Sequence, residues 1–411
     1  MNTGDTAWVL ISSVLVLGMT IPGLAFFYGG LVRRKNVLSI LMQCFIITCV
    51  ISLQWVLFGY SLAFAPDTGI GIIGSLKWAG LHFVGGQPNS NYAATIPHQV
   101  FMIFQAMFAI ITPALMIGAF AERMKFSAFL VFSVLWATLV YDPLAHWVWG
   151  TGGWLRTLGA LDFAGGIVVH VSSGFSALTL AILLGKRCGY TQQPFRPHNL
   201  PFTVLGAALL WFGWFGFNAG SALGANELAA NAFVTTHVAT AAAGLTWAFI
   251  EWRRHGAPTV LGAATGAVAG LVAITPACGF VNPINAIFIG ILAAIFCYAA
   301  VVLVKTKFGY DDSLDAFGVH GVGGAWGTIA TGLFAEKVVN AAGADGLFFG
   351  NPKQFLIQFF LIIVVPLFAA TMTWIIFKVV DALIGMRVEK QDEIVGLDLT
   401  QQGEAAYTVI E

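Results

Sequence analysis

Residues 256–304 read GAPTVLGAATGAVAGLVAITPACGFVNPINAIFIGILAAIFCYAAVVLV, without one Asp, Glu, Lys or Arg. A bilayer crossing takes about 20 apolar residues, so this stretch holds two helices. Thr275-Pro276 and Asn282-Pro283 mark the break between them. Outward from it, uncharged stretches recur at 6–32, 36–66, 78–121, 163–185, 197–226, 228–250, 316–335 and 354–377. A further run, 126–149, is interrupted only by Asp142 near its end. The pattern predicts an all-α polytopic membrane protein. Its eleven transmembrane helices lie near 8–31, 37–62, 98–120, 126–145, 162–185, 200–218, 231–251, 258–277, 285–304, 317–335 and 354–380.

Composition excludes the alternatives. Charged residues make up 9% of the 411, against about 25% in ordinary soluble domains, and residues of the AVILMFWYC set reach 58%. A soluble chain of this length could not cover its surface with 19 basic and 19 acidic side chains. The same balance speaks against disorder and against nucleic-acid binding. Met1 to Ala7 has no basic n-region and reads as a short outer tail, not a cleaved signal. The five cysteines show no paired spacing, so they read as packing residues with no metal site or disulfide framework.

Orientation follows from the basic residues. With the N-terminus outside, 15 of the 19 fall on inner connections or the tail; only Lys77, Arg156, Lys337 and Lys353 fall outside. The positive-inside rule therefore predicts N-out, C-in. The acidic residues are expected at helix ends, in loops or in the tail. Residues 1–380 form the transmembrane domain in this reading, and 381–411 a cytoplasmic tail.

Two segments suggest duplication. Asp162-Phe163-Ala164-Gly165-Gly166 leads to His170, eight residues after the aspartate. Asp311, Asp312 and Asp315 precede Phe317-Gly318-Val319-His320-Gly321. Each segment lies in the last helix of a block of five, and two odd blocks enter the membrane from opposite sides. That is an inverted 5+5 repeat plus one helix, an arrangement that places a transport site between the halves. Gly262, Gly266 and Gly270, and the pair Gly216 and Gly220, have the four-residue spacing of close helix packing.

Ionisable groups at membrane depth are costly and usually face the bundle interior. His170 and His320 could be simple interhelical hydrogen bonds, a pore lining that shares or relays a proton, or the two ligands of a haem. Phe104 and Phe108, one turn apart, Trp147 and Trp149, and Phe217 with Ser221 gather toward the outer side. They read as an interfacial aromatic belt or as a cage for a compact cation, each ring worth about 0.5–2 kcal/mol. Asp162, at a helix start, reads first as a cap for backbone N–H groups, with direct cation contact as the other use.

These motifs together resemble the ammonium transporter/methylammonium permease/Rhesus (Amt/Rh) family, on its ammonium-transporter side. The resemblance rests on Phe26-Phe27-Tyr28-Gly29-Gly30-Leu31-Val32-Arg33, Phe104-Gln105-Ala106-Met107-Phe108-Ala109 and Gly118-Ala119-Phe120-Ala121-Glu122-Arg123. Ala145-His146-Trp147-Val148-Trp149-Gly150, Leu161-Asp162-Phe163-Ala164-Gly165-Gly166, Trp214-Phe215-Gly216-Phe217-Asn218-Ala219-Gly220-Ser221 and the segment at His320 complete it. It implies an outer ammonium site of Phe104, Phe108, Trp149 and Ser221, and a gate of Phe108 and Phe217. It further implies twin pore histidines at His170 and His320, a supporting acid at Asp162, and a homotrimer. The expected function is ammonium uptake across the cell membrane, with methylammonium as analogue, loss of a proton at the outer site and passage of ammonia with proton co-movement. An electroneutral ammonia channel and an ammonium sensor are the alternatives; no enzyme chemistry and no cofactor are expected. The tail, with Gly385-Met386-Arg387-Val388 and Gly403-Glu404-Ala405-Ala406-Tyr407, resembles the family's regulatory tail, for which a PII-type signalling protein is the implied partner. Gln402 stands where many relatives have histidine.

Overall fold

The structure is a computed structural model that describes residues 1–407; the last four residues of the predicted tail, 408–411, lie outside it. Among the described residues, nine helices are long and apolar enough to cross a membrane. In chain order they are α1 (Thr3–Leu31), α2 (Arg34–Phe64), α3 (His98–Phe120), α4 (Phe126–Leu158), α5 (Gly166–Leu184), α6 (Leu200–Gly220), α7 (Glu227–His255), α9 (Pro283–Phe308) and α11 (Pro352–Ile384). Two shorter helices, α8 (Val260–Ile274) and α10 (Phe317–Gly321 running on into Val322–Phe334), occupy the remaining expected places. No β-strand occurs among the described residues. Large apolar side chains such as Leu53, Leu57, Phe212, Leu245, Phe249 and Leu367 point outward, as a bilayer-embedded surface requires.

Small residues set the packing. On α8, a Cβ at Gly270 would stand 2.7 Å from the Ala243 side chain of α7, and α6 lies on α1 where Gly216 and Gly220 meet Ser12. The four-residue glycine spacing thus marks two helix contacts. Cys44, Cys278 and Cys297 are buried packing residues and all five cysteines are free.

Three expectations need correction. α5 begins at Gly166, not at 162, because Gly165 adopts a left-handed φ of +109° that a helix cannot continue through. His170 therefore lies about one turn into its helix rather than eight residues. Asp142 is fully buried and helical residues extend past it to Trp149, so one carboxylate lies inside a span rather than at its end. Finally, α11 is helical to Ile384, four residues past the expected 380.

The described tail is not a detached domain. Arg123 and Lys125, just before α4, exchange backbone hydrogen bonds with Met386 and Val388. Leu397 N donates to Asn36 Oδ1, and Ser39 N to Asp398 Oδ1, both at 2.8 Å.

Candidate functional site

The two histidine segments are built alike. Asp162 takes four backbone N–H groups on its carboxylate, from Gly165, Gly166, Ile167 and Val168, at 2.6–3.1 Å. This is the capping role read from the sequence. Asp312, also eight residues before its histidine, accepts from Ala316 N and Phe317 N. That equivalence was readable from the shared eight-residue spacing. After each aspartate the chain enters a π-helical turn, Gly166–Val171 and Phe317–Gly321, that carries the histidine.

Glycines then let α5 and α10 cross. A Cβ on Gly174, four residues after His170, would sit 2.1 Å from Gly321 N; one on Gly324, four residues after His320, would sit 2.9 Å from Gly166 O. Each helix thus meets the other at equivalent places. The crossing brings His170 Nδ1 and His320 Nδ1 to 3.3 Å with the rings 18° from parallel. Both rings are buried, at 1% and 4% exposure. Because the two Nδ1 atoms face each other, one must donate and the other accept. The pair then presents one bare Nε2 and one Nε2–H, and His170 Nε2 has no partner. The two Nδ1 atoms hydrogen-bond each other directly, which leaves no room between them for the iron of the haem reading.

A column of rings leads from this pair toward the side that carries the N-terminus. Phe217 lies 6.1 Å from His170, and Phe108 stacks on Phe217 at 4.2 Å and 22°. Trp149 meets Phe108 edge-on at 5.9 Å. Above Phe108 opens a cavity of about 500 Å³ lined by Phe108, Trp149, Asp162 and Ser221 among others. Trp149 Nε1 is fixed by the Asp162 carbonyl at 2.9 Å, and Ser221 Oγ donates to Phe217 O at 2.8 Å. Phe104 is fully buried behind Phe108, in edge contact at 5.1 Å, and does not line this cavity. Several lining residues, Asn91, Gln105, Arg156 and Gln354 among them, are not site residues expected from the sequence. Gln105 holds a buried Oε1 without a partner, and Arg156 Nη1 donates to Trp149 O at 2.6 Å. Nothing in their spacing separates them from ordinary polar residues.

On the tail side, His320 borders a second cavity of about 300 Å³, lined also by Tyr28, Glu251, Thr265 and Asp315. A buried ionic network frames this end. Glu122 pairs with Arg33 at 2.8 Å and Arg187 at 3.1 Å, and Arg187 pairs with Asp311 at 2.8 Å. Burial pushes the Glu122 carboxyl up, but the Arg187 and Arg33 guanidiniums outweigh it and hold the group below the usual carboxylate range. Asp311 is lowered in the same way by Arg187. These charges tie loops together, and Glu122, Arg123, Asp311 and Asp312 are buried rather than solvated.

The chain can now be set beside known proteins. A profile of the Ammonium Transporter Family matches residues 7–407. An ammonium transporter of Bacillus subtilis is 55% identical over 99% of both chains, and ammonium transporter Amt1 of Archaeoglobus fulgidus is 49% identical over 99% of this chain and 100% of its own. Among solved structures, Mep2 of Candida albicans superposes with a TM-score of 0.90 at 39% identity, covering 99% of this chain and 90% of that one. A structure described as a sensor Amt protein gives 0.89 at 28% identity, over 97% and 98%.

Proposed function

The chain belongs to the ammonium transporter family, and from that premise we propose how its residues move ammonium. It is a multi-pass membrane transporter and not an enzyme. The observation that carries the reading is the unbroken column Trp149, Phe108, Phe217, His170, His320 between two cavities.

Ammonium is recruited in the cavity above Phe108, where Trp149 and Phe108 offer ring faces and Ser221 and the free Gln105 Oε1 offer oxygens. Phe104 backs Phe108. The stacked Phe108 and Phe217 rings form the gate and must part for passage. A cation does not continue beyond it: a bare charge in an apolar span costs about 3 to more than 10 kcal/mol, and the ring contacts that favour the cation, about 0.5–2 kcal/mol each, are left behind in the outer cavity. Ammonium therefore gives up a proton to solvent in the open cavity above the gate, and ammonia passes along His170 and His320. The shared Nδ1 proton gives the released proton a parallel path, since a proton taken at one Nε2 is matched by one given up at the other. Asp162 supports the outer site through the cap that fixes Trp149 and the His170 turn. Uptake is then electrogenic.

In this proposal all eleven helices span, the N-terminus is outside, and the chain works as a homotrimer with one pore per subunit. The tail is a regulatory segment that a PII-type protein could engage from inside. Proteoliposomes test the charge balance: ammonium uptake accompanied by inward current supports it, whereas uptake of equal size with no current establishes an electroneutral channel. The likeness to the sensor Amt protein favours a second reading, ammonium sensing. Ligand binding with negligible flux in the same vesicles would establish that instead.

A further inference from the structure

Asp142 has no part in the column of rings, yet it is a carboxyl group at 0% exposure inside a span. It belongs to no ion pair among the described residues. Its single side-chain partner is Gln54 of α2, whose Nε2 donates to Asp142 Oδ2 at 2.7 Å and also to Thr138 Oγ1 at 3.2 Å. The other oxygen of each group, Asp142 Oδ1 and Gln54 Oε1, is buried without a partner. An ionised carboxylate held by one neutral donor in a dry interior costs several kcal/mol, and the orphaned amide oxygen adds its own desolvation penalty. A single proton removes both costs.

We propose that Asp142 is held as a neutral carboxylic acid, its Oδ1–H donating to Gln54 Oε1 while Gln54 Nε2 donates back to Oδ2. The result is a two-bond acid–amide ring, a proton-binding site apart from the ammonium path, that clips α2 to α4. The backbone bears this out from a separate direction. Both helices leave α-helical winding at the clip: the π turn Trp55–Gly59 begins right after Gln54, and Ala137–Tyr141 ends right before Asp142. Such turns are frequent at functional sites, as at the two histidines, although this chain also has others, such as Ala299–Val304. Beyond the clip, α4 carries His146, bonded to Ala63 O and Asp67, then Trp147 bonded to Ile72 O, then Trp149. The bound proton thus anchors the segment that forms one wall of the outer cavity, while adding no charge to it.

Infrared spectroscopy of the protein in lipid at neutral pH tests this, independently of whether the histidine pair relays protons. The wild type is expected to show the carbonyl band of a buried carboxylic acid that Asp142→Asn removes. Asn restores both bonds of the ring, so its half-saturating ammonium concentration should stay within about twofold of wild type. Should Asp142→Asn fail to fold, Gln54→Leu is expected to shift the acid band, because the carbonyl loses its amide partner. A carboxylate band lost in place of an acid band, as for an ionised group bridged by water, overturns the proposal. So does a tenfold weaker ammonium response in Asp142→Asn, the sign of a charge serving the cation.

Discussion

At the residue scale the outer cavity and the gate draw on different properties of the same rings. Phe108 faces the cavity and stacks on Phe217, whereas Trp149 faces the cavity with its indole N–H already spent on Asp162 O. Trp149→Leu keeps an apolar side chain but loses one cation–π contact of about 0.5–2 kcal/mol, so half-saturation by ammonium should rise about 2- to 30-fold in uptake assays, with the maximal rate changed less. Asp162 is a structural acid by its contacts. Asp162→Ala strands four backbone N–H groups and should lower stability by at least about 3 kcal/mol, seen as a large drop in thermal unfolding temperature; Asp162→Asn should recover part of it. His170, His320 and Asp162 were legible in the sequence because charge-poor spans make any polar residue conspicuous and because the two segments match. Gln105 and Arg156 were not, since only their placement in the folded cavity distinguishes them. The same holds for Phe104, which shares a helix face with Phe108 yet lies behind it.

At the element scale the crossing of α5 and α10 positions the histidines. Gly174→Leu would put side-chain atoms where Gly321 backbone lies, so the helices must part and the 3.3 Å contact must break. Transport should fall to background in a protein that still inserts, as judged by its elution as a folded species. The inner network makes a pH prediction. Glu122 and Asp311 are held below their unfolded values, so their stabilisation is full above about pH 4 and is lost as pH falls through the folded values. Glu122→Gln leaves two arginines facing a neutral group and should cost about 3–5 kcal/mol at neutral pH. Thermal unfolding across pH should show that deficit shrinking in acid, where the wild type has lost the same charge. Helix positions were readable from charge-free length alone, but not their first residues. Apolar periodicity says nothing about where a left-handed glycine stops the chain, so it puts the start of α5 four residues early. The position of Asp142 is hidden for a related reason: a lone charge in a hydropathy pattern reads as an end, and only Gln54 on a neighbouring helix makes an interior position tolerable.

At the scale of the whole molecule, the proposed topology places the tail against the inner face: Met386 and Val388 on the loop after α3, Arg387 and Glu393 on the loop after α5, and Leu397 and Asp398 on the start of α2. With the native cysteines replaced, Lys390→Cys should react with an impermeant thiol reagent only from the cytoplasmic side, and Thr3→Cys only from outside; the reverse pattern would invert the assigned orientation. The scarcity of charge that identified the chain as a membrane protein also shapes how it works. No basic residue lies in the column, so two imidazoles and a set of rings carry the substrate between the cavities. The central claim is that the proton of ammonium crosses by way of His170 and His320 while ammonia passes beside them. The most direct measurement is ammonium-evoked current in bilayers containing the wild type or the variant His170→Ala with His320→Ala. The wild type should carry current and the double variant none, and unchanged current in the double variant would contradict the relay.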